Sequence, residues 1–190
     1  DWNRTYAAFR LESERFPGLT AKDGSYSKQE FIDLQRMGLE YGVRIIPEID
    51  IPAHSLAFAH YKPEIASRKY GMDHLDLYKK ETYQFVDSLL DEYLSGDNPV
   101  FIGDLHIGTD EYNKKEAEQY RYFTDRYLKF VEKYGKNVRM WGGLKWLPGK
   151  TPVKAEGVTV NAWSYDWVDP VVSLQDGYKL INTCDTYLYI

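Results

Sequence analysis

The chain has 190 residues with 24 Lys+Arg against 29 Asp+Glu, a formal net charge of −5, 43% hydrophobic and 28% charged residues, the composition of an ordinary globular domain with one core. Mild acidity without a Lys/Arg block argues against a nucleic-acid surface, and no apolar run reaches the roughly 18 to 20 residues that span a bilayer. Asp1 to Thr5 carry neither the basic nor the apolar part of a leader, and the single cysteine, Cys184, excludes an internal disulfide and a multi-thiolate zinc site. A neutral or cationic small substrate suits this balance. Aromatic residues reach 16%, with 17 Tyr and 5 Trp, an excess that core packing or flat sugar-binding faces could use.

Ser27-Lys28-Gln29-Glu30 is a capping box, and Phe31, Leu34, Met37 and Tyr41 follow at helical spacing until Gly42. Val43 to Asp50 predicts a strand, with Pro47 near its end. A long connection over 51–79 leads to a helix from Lys80 to Leu94, with Val86, Leu89, Leu90 and Tyr93 on one face. Val100 to Ile107 reads as the next strand. Asn113 caps a helix striped by Ala117, Tyr120, Thr124, Tyr127, Val131 and Tyr134, which Gly135 ends. Val138 to Trp141 and Val158 to Trp163 are further strands, joined by a Pro/Gly-containing loop without helical period. A short helix from Pro170 to Gly177 precedes a fifth strand, Lys179 to Thr183.

Strands alternating with helices predict an α/β fold with a parallel sheet, either a barrel or a doubly wound sheet. Glu48 and Asp50 alternate with Ile49, His106 with Leu105 and Ile107, and Thr159 and Asn161 with Val158 and Val160. One strand face is therefore polar. A doubly wound sheet, covered on both sides, wants both faces apolar, so the pattern favours a barrel with its chemistry at the C-terminal strand ends.

The densest group of reactive side chains is His106-Ile107-Gly108-Thr109-Asp110-Glu111, between a strand and a capped helix. Two adjacent carboxylates beside a histidine are costly to assemble unless used. They could also simply open the loop and complement a helix dipole. Asp50, His54, His106 and Asp110 leave a hydrolytic metal site open as well.

The hexapeptide resembles the His-x-Gly-Gly-Asp-Glu signature of glycoside hydrolase family 20, the β-N-acetylhexosaminidases. Pro47-Glu48-Ile49-Asp50-Ile51-Pro52-Ala53-His54 resembles the family's Pro-Glu-Ile-Asp-x-Pro-Gly-His, and the stretch from Phe9-Arg10-Leu11 to Gly24-Ser25-Tyr26 is similar to the segment before its third strand. The neighbourhoods of Trp141, Trp163 and Tyr187 are similar to later strand ends. Thr109 and Ala53 depart from the pattern, each standing where the family has Gly, a residue free to take positive φ.

The resemblance implies a (β/α)8 TIM barrel of which residues 1–190 hold roughly strands 3 to 7, the rest lying in a longer parent chain. It implies a glycan or glycoconjugate substrate, no cofactor, no metal and no nucleic-acid partner. Glu111 becomes the general acid/base, and Asp110 the residue that holds the substrate's 2-acetamido group. Trp141 and Trp163 wall the acetamido site, and Tyr187 hydrogen-bonds its carbonyl oxygen. Asp50, His54 and His106 stand behind the carboxylates, orienting Asp110 or tuning Glu111. Glu48 reads as part of a buried hydrogen-bonded layer. An ordinary retaining glycosidase needs two carboxylates about 5 Å apart on either side of the bond. The resemblance implies instead that the substrate's own acetamido oxygen is the nucleophile, and the adjacency of Asp110 and Glu111 agrees with this, because neighbouring residues more naturally approach one side of a sugar. Strict alternation would turn Glu111 away from Asp110, which predicts a strand break at or after Asp110. Trp146 and Trp167 could add an outer sugar-binding rim. A non-catalytic glycan-binding or structural fragment is the alternative. The compartment stays open, a secreted or cell-surface bacterial parent being the favoured reading.

Overall fold

The computed structural model describes residues 8–188; the opening Asp1–Thr5 lies outside them. In chain order the elements are α1 (Lys28–Glu40), β1 (Glu48–Ile51), α2 (Leu56–Tyr61), β2 (Ala66–Ser67), β3 (Gly71–Leu75), α3 (Lys80–Leu94), β4 (Leu105–Gly108), α4 (Ala117–Glu132), β5 (Val138–Trp141), β6 (Val158–Ala162), α5 (Pro170–Gln175), β7 (Lys179–Asn182) and α6 (Asp185–Leu188). They divide into two compact units. One combines the described part of Asp1–Pro47 with His54–Asp104, the other Glu48–Ala53 with the described part of Leu105–Ile190.

In the first unit α1 starts at the expected capping box: Ser27 Oγ accepts from the Glu30 N–H at 3.1 Å, and Glu30 Oε2 accepts from the Ser27 N–H at 2.7 Å. Its buried side differs from the predicted stripe. Gln35 and Gly38 are buried, while Met37 and Tyr41 are 49% and 80% exposed. The reason is the Gln35 amide. Its Nε2 donates to the Val100 carbonyl at 2.7 Å, and its Oε1 accepts from the Ile102 N–H at 3.1 Å.

Those bonds also explain why no strand begins at Val100. Backbone groups that a sheet neighbour would use are already committed to a side chain, and the Phe101 N–H donates to the Tyr93 carbonyl. The strand therefore starts at Leu105. The expected strand over 43–50 is likewise shortened to Glu48–Ile51, because the Val43 N–H closes on the Gly38 carbonyl and Pro47 has no N–H to give. The connection 51–79, unassigned from sequence, folds into α2, a 3₁₀ turn over Pro63–Ile65 and the antiparallel β2–β3 pair. Phe9, Phe58, Phe85 and Phe16 run ring against ring at 5.6, 5.5 and 4.8 Å. Phe58 and Phe85 are buried, and so are Tyr93, Tyr112, Tyr120, Tyr127 and Tyr178, so part of the aromatic excess is core.

The second unit carries a five-stranded parallel sheet in the order β1-β4-β5-β6-β7. Within it each strand lies beside the next strand in the chain, without the reversal of order that a doubly wound sheet needs. Ile49, Ile51, Leu105, Ile107, Val138, Met140, Val158, Val160 and Ala162 are buried, and α4 packs on β4 and β5 through Tyr120, Phe123, Tyr127, Leu128 and Val131. Glu48, Asp50, His106, Arg139, Trp141, Thr159 and Asn161 hold the alternate positions on these strands. An apolar face under helices and a polar opposite face are the arrangement of a barrel wall. Among the described residues, no helix is long and apolar enough to cross a membrane.

Candidate active site

The register places Glu48 beside His106 and Ile51 beside Gly108. Asp50 thereby lies directly over Gly108, so closely that a Cβ there would stand 1.7 Å from Asp50 Oδ1 and 2.7 Å from its Cα. The Asp50 side chain is buried. A carboxylate oxygen of Asp50 lies within 4.8 Å of one of Asp110, and the Thr109 backbone N–H is close enough to oppose part of the effect of that crowding. Burial, then the neighbouring charges of Asp110 and Glu48, hold its carboxyl well above the ordinary carboxylate range. Two carboxyl groups this close cannot both carry a full charge without cost, so Asp50 holds its proton more tightly than an exposed Asp would.

The strand ends at Gly108, two residues before the expected break at Asp110. Gly108, Thr109 and Glu111 take φ values of 68°, 80° and 49°, and this turn releases Asp110 and Glu111 from strand alternation. Positive φ suits Gly108. At Thr109 it is strained, because a branched Cβ crowds the backbone. The strain is held in place from several sides. Thr109 is fully buried, its Oγ1 donates to the Trp141 carbonyl at 3.3 Å, and its own carbonyl accepts from the Tyr120 hydroxyl. Sequence reading placed Tyr120 only in a helical stripe, and nothing in its spacing marks it as the latch of this turn. Ala53, the other departure, is not at positive φ; His54 is, at 52°. His54 falls in the first unit, ahead of α2.

Trp141 Nε1 donates to Glu48 Oε1 at 2.7 Å. The Glu48 side chain is 25% exposed among the described residues and orients this indole, so it is hydrogen-bonded, as expected of that layer, without being buried by this part of the barrel. The His106 ring lies 4.8 Å from that of Trp141, and its Nδ1 accepts from the Gly108 N–H at 3.1 Å. An accepting Nδ1 puts the proton of the neutral ring on Nε2. Burial, opposed by Asp110 and reinforced by Arg139, lowers the His106 pKa to about 4. The unfolded chain therefore takes up this proton first. The stabilising contribution of neutral His106 is fully present above the ordinary value of 6.5 and is lost as pH falls toward 4. A ring titration by NMR is expected to place the midpoint near 4; a midpoint at 6.5 would contradict the buried Nε2–H tautomer.

Trp163 Nε1 donates to the Gly142 carbonyl at 2.9 Å, linking the two expected wall residues through the loop after β5. Gly142 allows the 164–168 turn to approach: a Cβ there would meet Val168 Cγ2 at 2.0 Å. Tyr187 lies on α6, a helix absent from the sequence reading, and is 73% exposed, 6.5 Å by ring centroid from Tyr165. Thus Asp50, Asp110, His106 and Trp141 meet at the ends of β1, β4 and β5. Exposed Glu111 follows in the same turn.

This arrangement can hold a planar amide against carboxylate and indole, with a second, exposed carboxylate, Glu111, in the same turn. Comparison with known proteins is consistent with it. Over 206 residues the chain is 25% identical to "Beta-hexosaminidase subunit A2" of Dictyostelium discoideum, covering 95% of this chain and 37% of that protein. Over 184 residues it is 25% identical to "Lacto-N-biosidase" of Bifidobacterium bifidum, covering 83% of this chain and 16% of that one. The solved GH20 β-N-acetylhexosaminidase of Streptomyces coelicolor A3(2) superposes with a TM-score of 0.73 at 26% identity, over 92% of this chain and 39% of that structure. The chain thus spans less than half the length of each of these relatives. Residues 5–120 match the family described as "Glycosyl hydrolase family 20, catalytic domain"; the chain belongs to that family, and its sheet is part of the family's TIM barrel.

Proposed function

We propose that residues 1–190 form part of the catalytic barrel of a retaining β-N-acetylhexosaminidase, which removes terminal β-linked N-acetylhexosamine from glycans with the substrate's acetamido group as nucleophile. The observation that supports this reading is the closely spaced Asp50 and Asp110 carboxyl groups, within 4.8 Å of each other, beside Glu111 in the strained turn after β4.

In the first step Glu111 gives its proton to the glycosidic oxygen while the acetamido carbonyl oxygen attacks the anomeric carbon and the C–O bond to the leaving group breaks. Asp110 accepts a hydrogen bond from the acetamido N–H and offsets the positive charge that develops on the closing oxazolinium ring. Asp50, keeping its own proton, holds Asp110 in that orientation. Trp141, fixed by Glu48, and Trp163 wall the acetamido group, and the Tyr187 hydroxyl donates to its oxygen. In the second step Glu111 takes a proton from water, and the water opens the ring at the anomeric carbon. Two inversions give net retention without a protein nucleophile.

The test is inhibition by a thiazoline analogue of the cyclised intermediate, which should bind far more tightly than substrate, as transition-state-like ligands do. Asp110→Asn is expected to weaken that inhibition, and an aryl β-glucoside should be almost untouched. Rapid hydrolysis of the glucoside would contradict the proposal, and loss of activity to a chelator would favour a metal hydrolase instead. Similarity to a lacto-N-biosidase motivates a second reading, release of a β-linked disaccharide. Parallel assays of aryl β-GlcNAc, β-GalNAc and lacto-N-bioside separate these. Binding of glycan with no turnover of any would mean a non-catalytic module.

A further inference from the structure

Beyond the acetamido wall the second unit carries a run of three indoles. Trp163 and Trp167 lie 5.5 Å apart by ring centroid at an interplanar angle of 36°, and Trp167 and Trp146 5.1 Å apart at 34°. The run leads outward: Trp163 and Trp167 are half-buried, whereas Trp146 is 39% exposed. At the exposed end Lys114 Nζ sits 4.7 Å from the centre of the Trp146 ring. Lys114 belongs to the 3₁₀ turn that follows Asp110 and Glu111, and three residues of chain keep its Cα within about 11 Å of that of Glu111. Lys145, next to Trp146, is engaged with the Tyr165 carbonyl. Lys114 is thus the cation placed on the exposed indole.

An indole face suits the C–H face of a pyranose. An ammonium beside that face adds a charge partner on a flexible stem, able to leave the ring and meet an anion. We propose that Trp146 and Lys114 form an outer subsite for a sugar residue bearing a carboxylate or sulfate, so that the protein prefers N-acetylhexosamine attached to an acidic residue. This substrate class rests on the hexosaminidase reading above, and the local cation runs against the chain's net charge of −5.

Binding can be tested without turnover. In a Glu111→Gln background of the protein with its complete barrel, calorimetric titration would compare three oligosaccharides of equal length. One would have β-linked N-acetylhexosamine on hexuronate, one would be a sulfated chito-oligosaccharide, and one a neutral chito-oligosaccharide. At least one acidic ligand should bind about fivefold more tightly than the neutral one, as expected for a single partly exposed ion pair, and the margin should shrink with salt. Preference for the hexuronate alone identifies a carboxylate site; preference for both acidic ligands identifies a general anion site. Lys114→Ala should erase the acidic-over-neutral preference, Lys114→Arg should restore much of it, and Trp146→Ala should weaken all three. Equal affinities, or a preference that survives Lys114→Ala, would overturn the proposal. Turnover of aryl β-GlcNAc by the unsubstituted protein, measured alongside, tests the hexosaminidase reading separately.

Discussion

Replacing Glu111 with Gln in the complete barrel is expected to lower turnover of an aryl β-GlcNAc with a poor leaving group by about 10²–10⁴-fold, the range of a lost general acid. The amide keeps the shape of the side chain and cannot give a proton. An activated phenol needs little protonation to depart, so a substrate with a good leaving group should lose much less in the first step. The comparison therefore uses two aryl glycosides of different leaving-group acidity. Equal losses on both would remove Glu111 from the acid role.

Gly108→Ala should have the largest effect on the folded state. An added methyl would overlap the Asp50 carboxylate and its Cα at 1.7 and 2.7 Å, at a position with φ of 68°. Backbone of a neighbouring strand cannot step aside as a flexible side chain can, so a loss on the order of 4 kcal/mol follows from overpacking and strain together. In a chain of this size that corresponds to a fall in Tm of about 10 °C. Gly135→Ala is the matched control. Gly135 has φ of 70° with no atom within 4 Å of the added carbon, and its cost should stay near 1 kcal/mol. Comparable melting of the two variants would mean that Asp50 does not press on Gly108.

Much of this arrangement is legible in sequence because it depends on local chemistry. The capping box at Ser27, the helix Lys80–Leu94 and the strand Val138–Trp141 follow from spacing and composition alone, and the structure holds them with those bounds. The polar alternation at Glu48, Asp50, His106 and Asn161 also reads directly, since a strand sends every second side chain to one face. What escaped detection depends on partners distant in the chain. Gln35 takes the backbone groups of Val100 and Ile102 and so delays the strand to Leu105. Tyr120 holds the Thr109 carbonyl, and Glu48 holds the Trp141 indole. Asp50 over Gly108 likewise follows from a strand register that neither segment encodes alone. The Gly-to-Thr departure at 109 pointed to a loop-dihedral problem. Only the φ of 80° shows that the turn is kept and the strain accepted.

If the substrate supplies the nucleophile, the rate must follow the electron density on its acetamido oxygen. Aryl β-GlcNAc substrates with a common leaving group would carry mono-, di- or trifluorinated acetamido groups, each fluorine drawing electron density from the attacking carbonyl oxygen. Turnover by the protein with its complete barrel is predicted to fall steeply with each fluorine, because bond formation by that oxygen belongs to the first transition state. A rate indifferent to fluorination would place the nucleophile on the protein or on water, and would contradict the roles given to Asp50, Asp110 and Glu111.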